Sequence, residues 1–181
     1  MRNSLKMAFY TLLIVLFFSC DEIESLADID FPVTLTKSHP FEVTTTDEMT
    51  TTIVLDATTN SEVKKYVNNI KSYRVTELLF AIENYAAESQ DDIFFDGVMG
   101  VSKKSENQPS STCQVNDLNI TQKAKEGNFE ITNCSDVVNK MSSLLKQENA
   151  INIYLIGEFT KAPLEFDLKV TATVTVTANP L

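Results

Sequence analysis

Tryptophan is absent from this chain of 181 residues, histidine occurs once and glycine only four times. The single imidazole, His39, lies in a Ser-His-Pro stretch that predicts a solvated turn, so a serine or cysteine triad lacks a suitable base. Four glycines leave little room for a loop that cradles phosphate. The three cysteines include no CxxC pair, which argues against a zinc site. We therefore predict no cofactor and no metal site.

Carboxylates are the remaining candidates for catalysis. Asp91, Asp92 and Asp96 surround an apolar triplet at residues 93–95. Paired carboxylates hydrolyse glycosides, and a group of carboxylates can hold calcium. The stretch has no central glycine or alternating ligands of a calcium loop, and such clusters are usually turn residues or charge at a strand end. We predict no catalytic residue here.

Tyrosine is the aromatic residue on which a sugar ring could stack, since sugar-binding sandwiches use exposed Trp or Tyr. In strands, however, a tyrosine more often completes the core and keeps its hydroxyl at the rim. Four tyrosines fall in the predicted folded part and leave both interpretations open: Tyr66, Tyr73, Tyr85 and Tyr154.

The start of the chain has the layout of a secretory signal. Arg2 and Lys6 precede an apolar run over residues 8–18, which ends at Ser19 and Cys20. A helix of this length, at about 1.5 Å per residue, falls far short of the roughly 30 Å hydrocarbon core of a bilayer. We therefore predict that residues 1–19 are a signal peptide and not a permanent transmembrane span.

Ser19 and Cys20 resemble the end of the lipobox of bacterial lipoproteins, in which Leu and two small residues precede the cysteine. Phe17 and Phe18 depart from that pattern and resemble the relaxed lipoboxes of Bacteroidota. The resemblance implies cleavage before Cys20 and lipid on its thiol, with two or three acyl chains holding the protein to a membrane. It implies no activity. The alternative is an ordinary signal peptide that leaves a periplasmic protein with a free Cys20.

An acidic stretch of Asp21, Glu22 and Glu24 follows the cysteine, and residues 20–26 are predicted to form a tether. In lipoproteins of Bacteroidota such a stretch resembles a surface-export signal. In proteobacteria an aspartate directly after the cysteine resembles an inner-membrane retention signal, and a merely solvated tether is a third interpretation. Together with the relaxed lipobox, the stretch favours the outer membrane with surface display over a periplasmic location.

The mature chain is strongly acidic. Residues 1–19 contain two of the fifteen basic residues and none of the 25 acidic ones, so the remainder carries a net charge near −12. Nucleic acid and anionic headgroups would repel such a chain, so we expect no nucleic-acid partner. Cys113 and Cys134 remain once Cys20 is assigned to lipid. In an exported chain they could form a disulfide, and two buried thiols are the alternative.

Alternating apolar and polar residues predict several strands in residues 27–181. Residues 29–35 alternate and include Pro32, which predicts an edge strand. Residues 73–85 are apolar on both faces, as in a central strand. Residues 128–132 read as a short strand, whereas residues 165–177 alternate most regularly and predict one buried and one solvated face.

Two segments change to helical spacing. One has a possible capping box at Thr59 and Glu62, and the other begins at Ser135 with an apolar stripe of Val138, Met141, Leu144 and Leu145. We predict an all-β fold, an antiparallel β-sandwich of jelly-roll or immunoglobulin-like type with two short helices, and a single barrel as the alternative.

These observations suggest a lipid-anchored, non-enzymatic binding or accessory protein of the cell envelope. The expected partners are the membrane, through Cys20, and an envelope protein or glycan. A carbohydrate-binding lipoprotein beside outer-membrane transporters is the second hypothesis, and a hydrolase is the third.

Overall fold

A computed structural model describes residues 28–179. The strands are β1 (Ile29–Val43), β2 (Met49–Asp56), β3 (Ile70–Ala87), β4 (Phe94–Lys103), β5 (Ser111–Asn119), β6 (Ala150–Phe159) and β7 (Leu164–Ala178). The helices are α1 (Ser61–Tyr66), α2 (Ile120–Glu126) and α3 (Ser135–Glu148), and a 3₁₀ turn (Ala57–Thr59) precedes α1. The predicted signal peptide, Cys20 and the acidic tether lie outside the described residues.

The strands form two antiparallel sheets that enclose the core. One sheet has the order β1-β7-β3, and the other has the order β2-β6-β4-β5. β1 and β7 pair along their whole length, from Ile29 opposite Ala178 to Val43 opposite Leu164. The fold is therefore an all-β, antiparallel sandwich, which confirms the prediction.

The strand order distinguishes between the predicted architectures. In an immunoglobulin-like sandwich the first strand lies beside the second, whereas here it lies beside the last. In a jelly roll, which has eight strands, the first strand lies beside the last and most consecutive strands lie in opposite sheets. The order found here has both features. Seven strands occur in residues 28–179, and the eighth position is the free side of β3, where Phe129 forms an isolated bridge to Phe80. No ladder joins the sheets in this part of the chain, so no barrel is formed.

β1 differs in length from the prediction. It is an edge strand, as Pro32 indicated. The predicted turn at Ser38-His39-Pro40 is wrong, because β1 continues through it and His39 lies opposite Leu168. An edge strand tolerates a proline whose nitrogen faces away from the neighbouring strand, and β7 is long enough to pair with the whole of β1.

The described residues form three α-helices, whereas the sequence predicted two. α1 begins after Asn60, whose side chain accepts from the N–H groups of Glu62 and Val63, and not after Thr59. α2 was missed because a seven-residue helix has too few apolar positions to show a period. β3 is not central either; β7 occupies that place between β1 and β3.

β7 shows how the sequence pattern builds the core. Its apolar residues from Leu164 to Ala178 alternate with polar residues, and every apolar position on the inner face is buried. α3 closes the sandwich beside β3 by burying Val137, Met141, Leu144 and Leu145. The inner stripe thus starts at Val137 and not at Val138, which is half-buried.

Candidate functional site

The jelly roll is incomplete along one side, where α3 and one irregular segment lie between the two sheets. We call residues 129–134 the strap. At its start, the N–H of Phe129 donates to the carbonyl of Phe80 and the N–H of Phe80 donates to the carbonyl of Phe129, each at 2.8 Å. At its end, Cys134 forms a disulfide with Cys113 of β5, with the two Cα atoms 5.3 Å apart. The strap is therefore attached to one sheet at its start and to the other sheet at its end.

The ladder between the strap and β3 stops after one residue pair. In an antiparallel ladder the next pair beyond Phe80 and Phe129 would join Leu78 to Ile131. Within the described chain, residues 130–133 form no backbone hydrogen bond to β3 or to β5. The segment predicted as a strand is thus reduced to one bridge, which corrects the prediction for residues 128–132.

Two features turn the strap away from β3. Asn133 has a φ of 63°, in the left-handed region that breaks an extended strand. The disulfide then holds Cys134 beside β5, in the opposite sheet. A segment whose ends are fixed to different sheets cannot follow either strand edge along its whole length.

A groove lies on each side of the strap. The β3 groove, of about 440 Å³, lies between the strap and the stretch of β3 from Val75 to Phe80. The β5 groove, of about 290 Å³, lies between the strap and the stretch of β5 from Gln114 to Leu118. Beneath the strap, Phe129 and Ile131 cover an apolar cavity of about 30 Å³ between the sheets, too small for anything larger than one water.

Helix α3 limits the exposed edge of β3. Ser142 Oγ accepts a hydrogen bond of 3.0 Å from the N–H of Val75, and the Lys146 ammonium donates to the carbonyl of Ile70. The Phe129 bridge covers Phe80 at the other end. Between these contacts, the N–H and carbonyl of Leu78 face the β3 groove, because Leu78 and Phe80 present their backbone groups to the same side of the strand.

The carboxylates singled out in the sequence do not converge. Asp91 forms an ion pair with Lys161, which lowers the pKa of the carboxyl. Asp92 accepts a hydrogen bond of 3.1 Å from Asn119 Nδ2. Asp96 accepts one of 2.8 Å from the backbone N–H of Asp117. Among residues 28–179 no three His, Cys, Asp or Glu side chains are grouped so that they could hold a metal ion.

His39 is half-buried on β1, and its ring lies 5.4 Å from that of Phe41, centroid to centroid. The side chain faces the gap between the edges of β1 and β2, where Lys37 lies on the same face of β1. In the described part of the chain, no Ser or Cys side chain donates a hydrogen bond to His39. The geometry is that of an inward-pointing polar residue on an edge strand, a common device against edge-to-edge association.

Three of the four tyrosine hydroxyls are engaged inside the protein. That of Tyr73 donates to Asn149 Oδ1 at 2.7 Å, that of Tyr85 lies 2.9 Å from Thr121 Oγ1, and that of Tyr154 donates to the carbonyl of Glu106 at 2.8 Å. Burial, with a smaller effect of nearby Asp56, raises the pKa of Tyr73 to about 12.

Tyr66 is the fourth, and it is half-buried. Its ring lies 5.6 Å from that of Phe31, and the Lys65 ammonium sits 4.6 Å above the centroid of Tyr66. None of the four rings forms a bare platform for a sugar within the described residues.

A buried polar cluster was missed by the sequence analysis. Asn152 and Ser102 are buried in adjacent strands, and Asn152 Nδ2 lies within 3.3 Å of the carbonyls of Lys103, Lys104 and Glu106. Ser102 Oγ donates to the hydroxyl of Tyr154 at 3.2 Å. The cluster fixes the turn after β4. The only signal for it was a polar Asn152 between the apolar residues Ile151 and Ile153.

The comparisons with known proteins supply no family. No family model matches the chain, and no curated protein matches it. Among solved structures, decameric BFDV capsid protein is 11% identical with a TM-score of 0.36, over 82% of this chain and 99% of that one. Desmodium yellow mottle tymovirus is 10% identical with a TM-score of 0.37, over 85% and 89%. Turnip yellow mosaic virus is 10% identical with a TM-score of 0.31, over 83% and 96%.

TM-scores this low carry no argument about what the chain does. The candidate site therefore depends on the chain's own geometry. In residues 28–179, no helix combines the length and the apolar character that crossing a bilayer requires.

Proposed function

We propose that this chain is a lipid-anchored, non-enzymatic binding protein of the bacterial cell envelope, displayed from the outer membrane by lipid on Cys20. The observation that carries the binding role is the strap, which lies between two strand edges without pairing to either beyond Phe129. Unpaired strand edges beside grooves are where proteins recruit extended partner segments.

The charged and polar groups in the described part of the chain support a binding role more than a catalytic one. The carboxylates Asp91, Asp92 and Asp96 have separate partners, and His39 is turned toward an edge of the sandwich. The three aspartates that motivated the hydrolase hypothesis therefore do not support it. The carbohydrate hypothesis has less support than a protein partner, because the tyrosine hydroxyls and rings are occupied by internal contacts.

The anchor is tested by metabolic labelling with palmitate. The chain should incorporate label and fractionate with the outer membrane, and a Cys20→Ala variant should do neither. A Cys113→Ala/Cys134→Ala double variant is the matched control, because it removes cysteines without touching the proposed lipid site. Equal labelling of the wild-type and Cys20→Ala chains would contradict the proposal.

The binding role is tested by photo-crosslinking on intact cells. A crosslinker placed at the exposed Thr132 of the strap should join the chain to a discrete envelope protein. The same crosslinker at the exposed Thr45, between β1 and β2 on the far side of the sandwich, is the control. Identical crosslinking patterns from the two positions would contradict a binding site at the strap.

A further inference from the structure

We propose that the β3 groove binds a short, extended, basic segment of a partner protein, which adds to the edge of β3 at Leu78. This inference rests on the proposed binding function and specifies its partner.

The backbone of the groove is ready to pair with a strand. Leu78 presents an N–H and a carbonyl on the side of β3 that carries the bridge to Phe129, and the strap leaves both without a backbone partner within the described chain. Buried or half-buried backbone groups favour a hydrogen-bonded partner strongly. A segment added beside β3, in either direction, can donate an N–H to the carbonyl of Leu78 and accept from the N–H of Leu78.

The length of the groove limits the segment. Ser142 covers Val75 at one end and Phe129 covers Phe80 at the other. Five residue steps of a strand at about 3.4 Å each span roughly 17 Å. The groove therefore accepts about four residues of an extended chain, and not a long strand.

The charge of the groove selects the segment. Its charged lining residues in the described structure are Glu77 and Glu130, with no Lys or Arg among them. The β5 groove, by contrast, has Lys123 beside Glu130. An acidic groove on an acidic chain attracts a basic segment and repels an acidic one.

The two faces of the groove predict a pattern within the segment. Met99 is fully buried beneath the groove, and the half-buried Val138 lines it from α3. Glu77 lies on the opposite, outer face of the sheet, where it accepts a hydrogen bond of 3.1 Å from Thr173 Oγ1. Side chains of an added strand alternate between these faces, so apolar residues would point toward Met99 and Lys or Arg would point toward Glu77.

The edge of β1 is less suited to the same role. Pro32 and Pro40 interrupt its row of donors, and the inward-pointing Lys37 and His39 would meet any segment docked there. Proline and inward charge are features by which edge strands avoid pairing. The exposed part of β3 from Val75 to Phe80 has neither feature.

The test uses the full chain, extracted from membranes in mild detergent, and a labelled peptide of alternating Val and Lys, seven residues long. Fluorescence anisotropy should show saturable binding, and hydrogen exchange should slow in residues 75–80 but not in residues 34–38 of β1. An alternating Val and Glu peptide should not bind. N-methylation of the central amides of the Val and Lys peptide should abolish binding, because it removes backbone donors without altering charge.

The charge argument has a matched control. The E77Q/E130Q double variant should weaken binding about five-fold, as expected for the loss of two exposed charge contacts. The E42Q/E48Q double variant makes the same change in net charge at the end of β1 and in the turn that follows it, and it should bind as the wild type does. Both pairs are surface substitutions, and equal circular dichroism spectra would show that the fold is retained.

Four results would overturn the inference, and three of them concern the peptide: no saturable binding, equal weakening by the two double variants, or unchanged binding of the N-methylated peptide. Protection of the Leu78 amide from hydrogen exchange without any peptide would show that the strap itself closes onto β3, which is the fourth such result. The palmitate experiment does not depend on the peptide, so failure of the anchor and failure of the groove are separately visible.

Discussion

The disulfide between Cys113 and Cys134 provides the sharpest test of how the open side is held together. The two cysteines are 21 residues apart in the chain, and the bond between them closes a loop that contains α2 and most of the strap. In the chain-entropy model, a loop of this size stabilises the folded state by about 3 kcal/mol. For a domain of this length, such a loss lowers the melting temperature by about 6–12 °C.

Urea unfolding of the oxidised chain, the reduced chain and the Cys113→Ala/Cys134→Ala variant measures the effect. The reduced chain should lose about 3 kcal/mol of unfolding free energy. The unfolding free energy of the reduced chain should also fall more steeply with urea concentration, because an unfolded chain without the cross-link exposes more surface. The double-alanine variant should follow the reduced chain, apart from the cost of a small cavity at the buried Cys134.

Reduction should also loosen the strap locally. With the disulfide broken, the Phe129 bridge and the start of α3 hold the two ends of the strap, so hydrogen exchange at Phe129 and Phe80, whose N–H groups form that bridge, should accelerate more than in β7. If the oxidised and reduced chains unfold at the same urea concentration, the reasoning about the loop is refuted. If mass spectrometry of the exported chain finds two free thiols, the disulfide does not form in the cell.

Three further predictions concern the core. Gly157→Ala should cost about 1–3 kcal/mol, because its Cβ would lie 2.7 Å from the Cα of Gly97; unchanged urea unfolding would contradict this. Burial raises the pKa of Tyr73 from its ordinary 10.0 to about 12 in the folded chain, so the stability it contributes is complete below pH 10 and is lost as the pH rises toward 12. Ultraviolet titration should detect this late ionisation, and a Tyr73→Phe variant should lack it. Asn152→Ala should cost about 1–3 kcal/mol by removing the amide that donates to the carbonyls of Lys103, Lys104 and Glu106, and a smaller loss in thermal unfolding would show that water replaces the amide.

The sequence predicted the parts of the fold that depend on local periodicity. The alternation in β7 identified both of its faces correctly, and Pro32 located the edge strand. Local rules failed where a distant partner decides the structure. The Ser-His-Pro stretch around His39 looks like a turn, but fifteen consecutive pairs to β7 keep it extended.

The candidate site was the least predictable part, for a physical reason. Residues 128–132 have the composition of a strand, and nothing local indicates that only Phe129 pairs. The outcome depends on Cys134 being held at β5 and on the left-handed Asn133, which together turn the chain away from Leu78. A groove formed by an absent ladder has no signature in the composition of the residues that line it.

The proposed anchor bears on which partners the β3 groove can meet. Ile29 begins β1 opposite Ala178, which also lies opposite Ile70 at the start of β3. Leu78 is eight residues further along β3, about 26 Å at a strand's rise of roughly 3.3 Å per residue. Residues 20–27 add at most about 29 Å of extended chain between the lipid and the fold. The proposed anchor would therefore hold the groove within about 55 Å of the bilayer surface, so a partner in the same membrane would meet it at a far higher effective concentration than a diffusing one. A groove that contacts only about four residues would bind weakly by itself, and the proposed confinement to one membrane would make such weak binding sufficient.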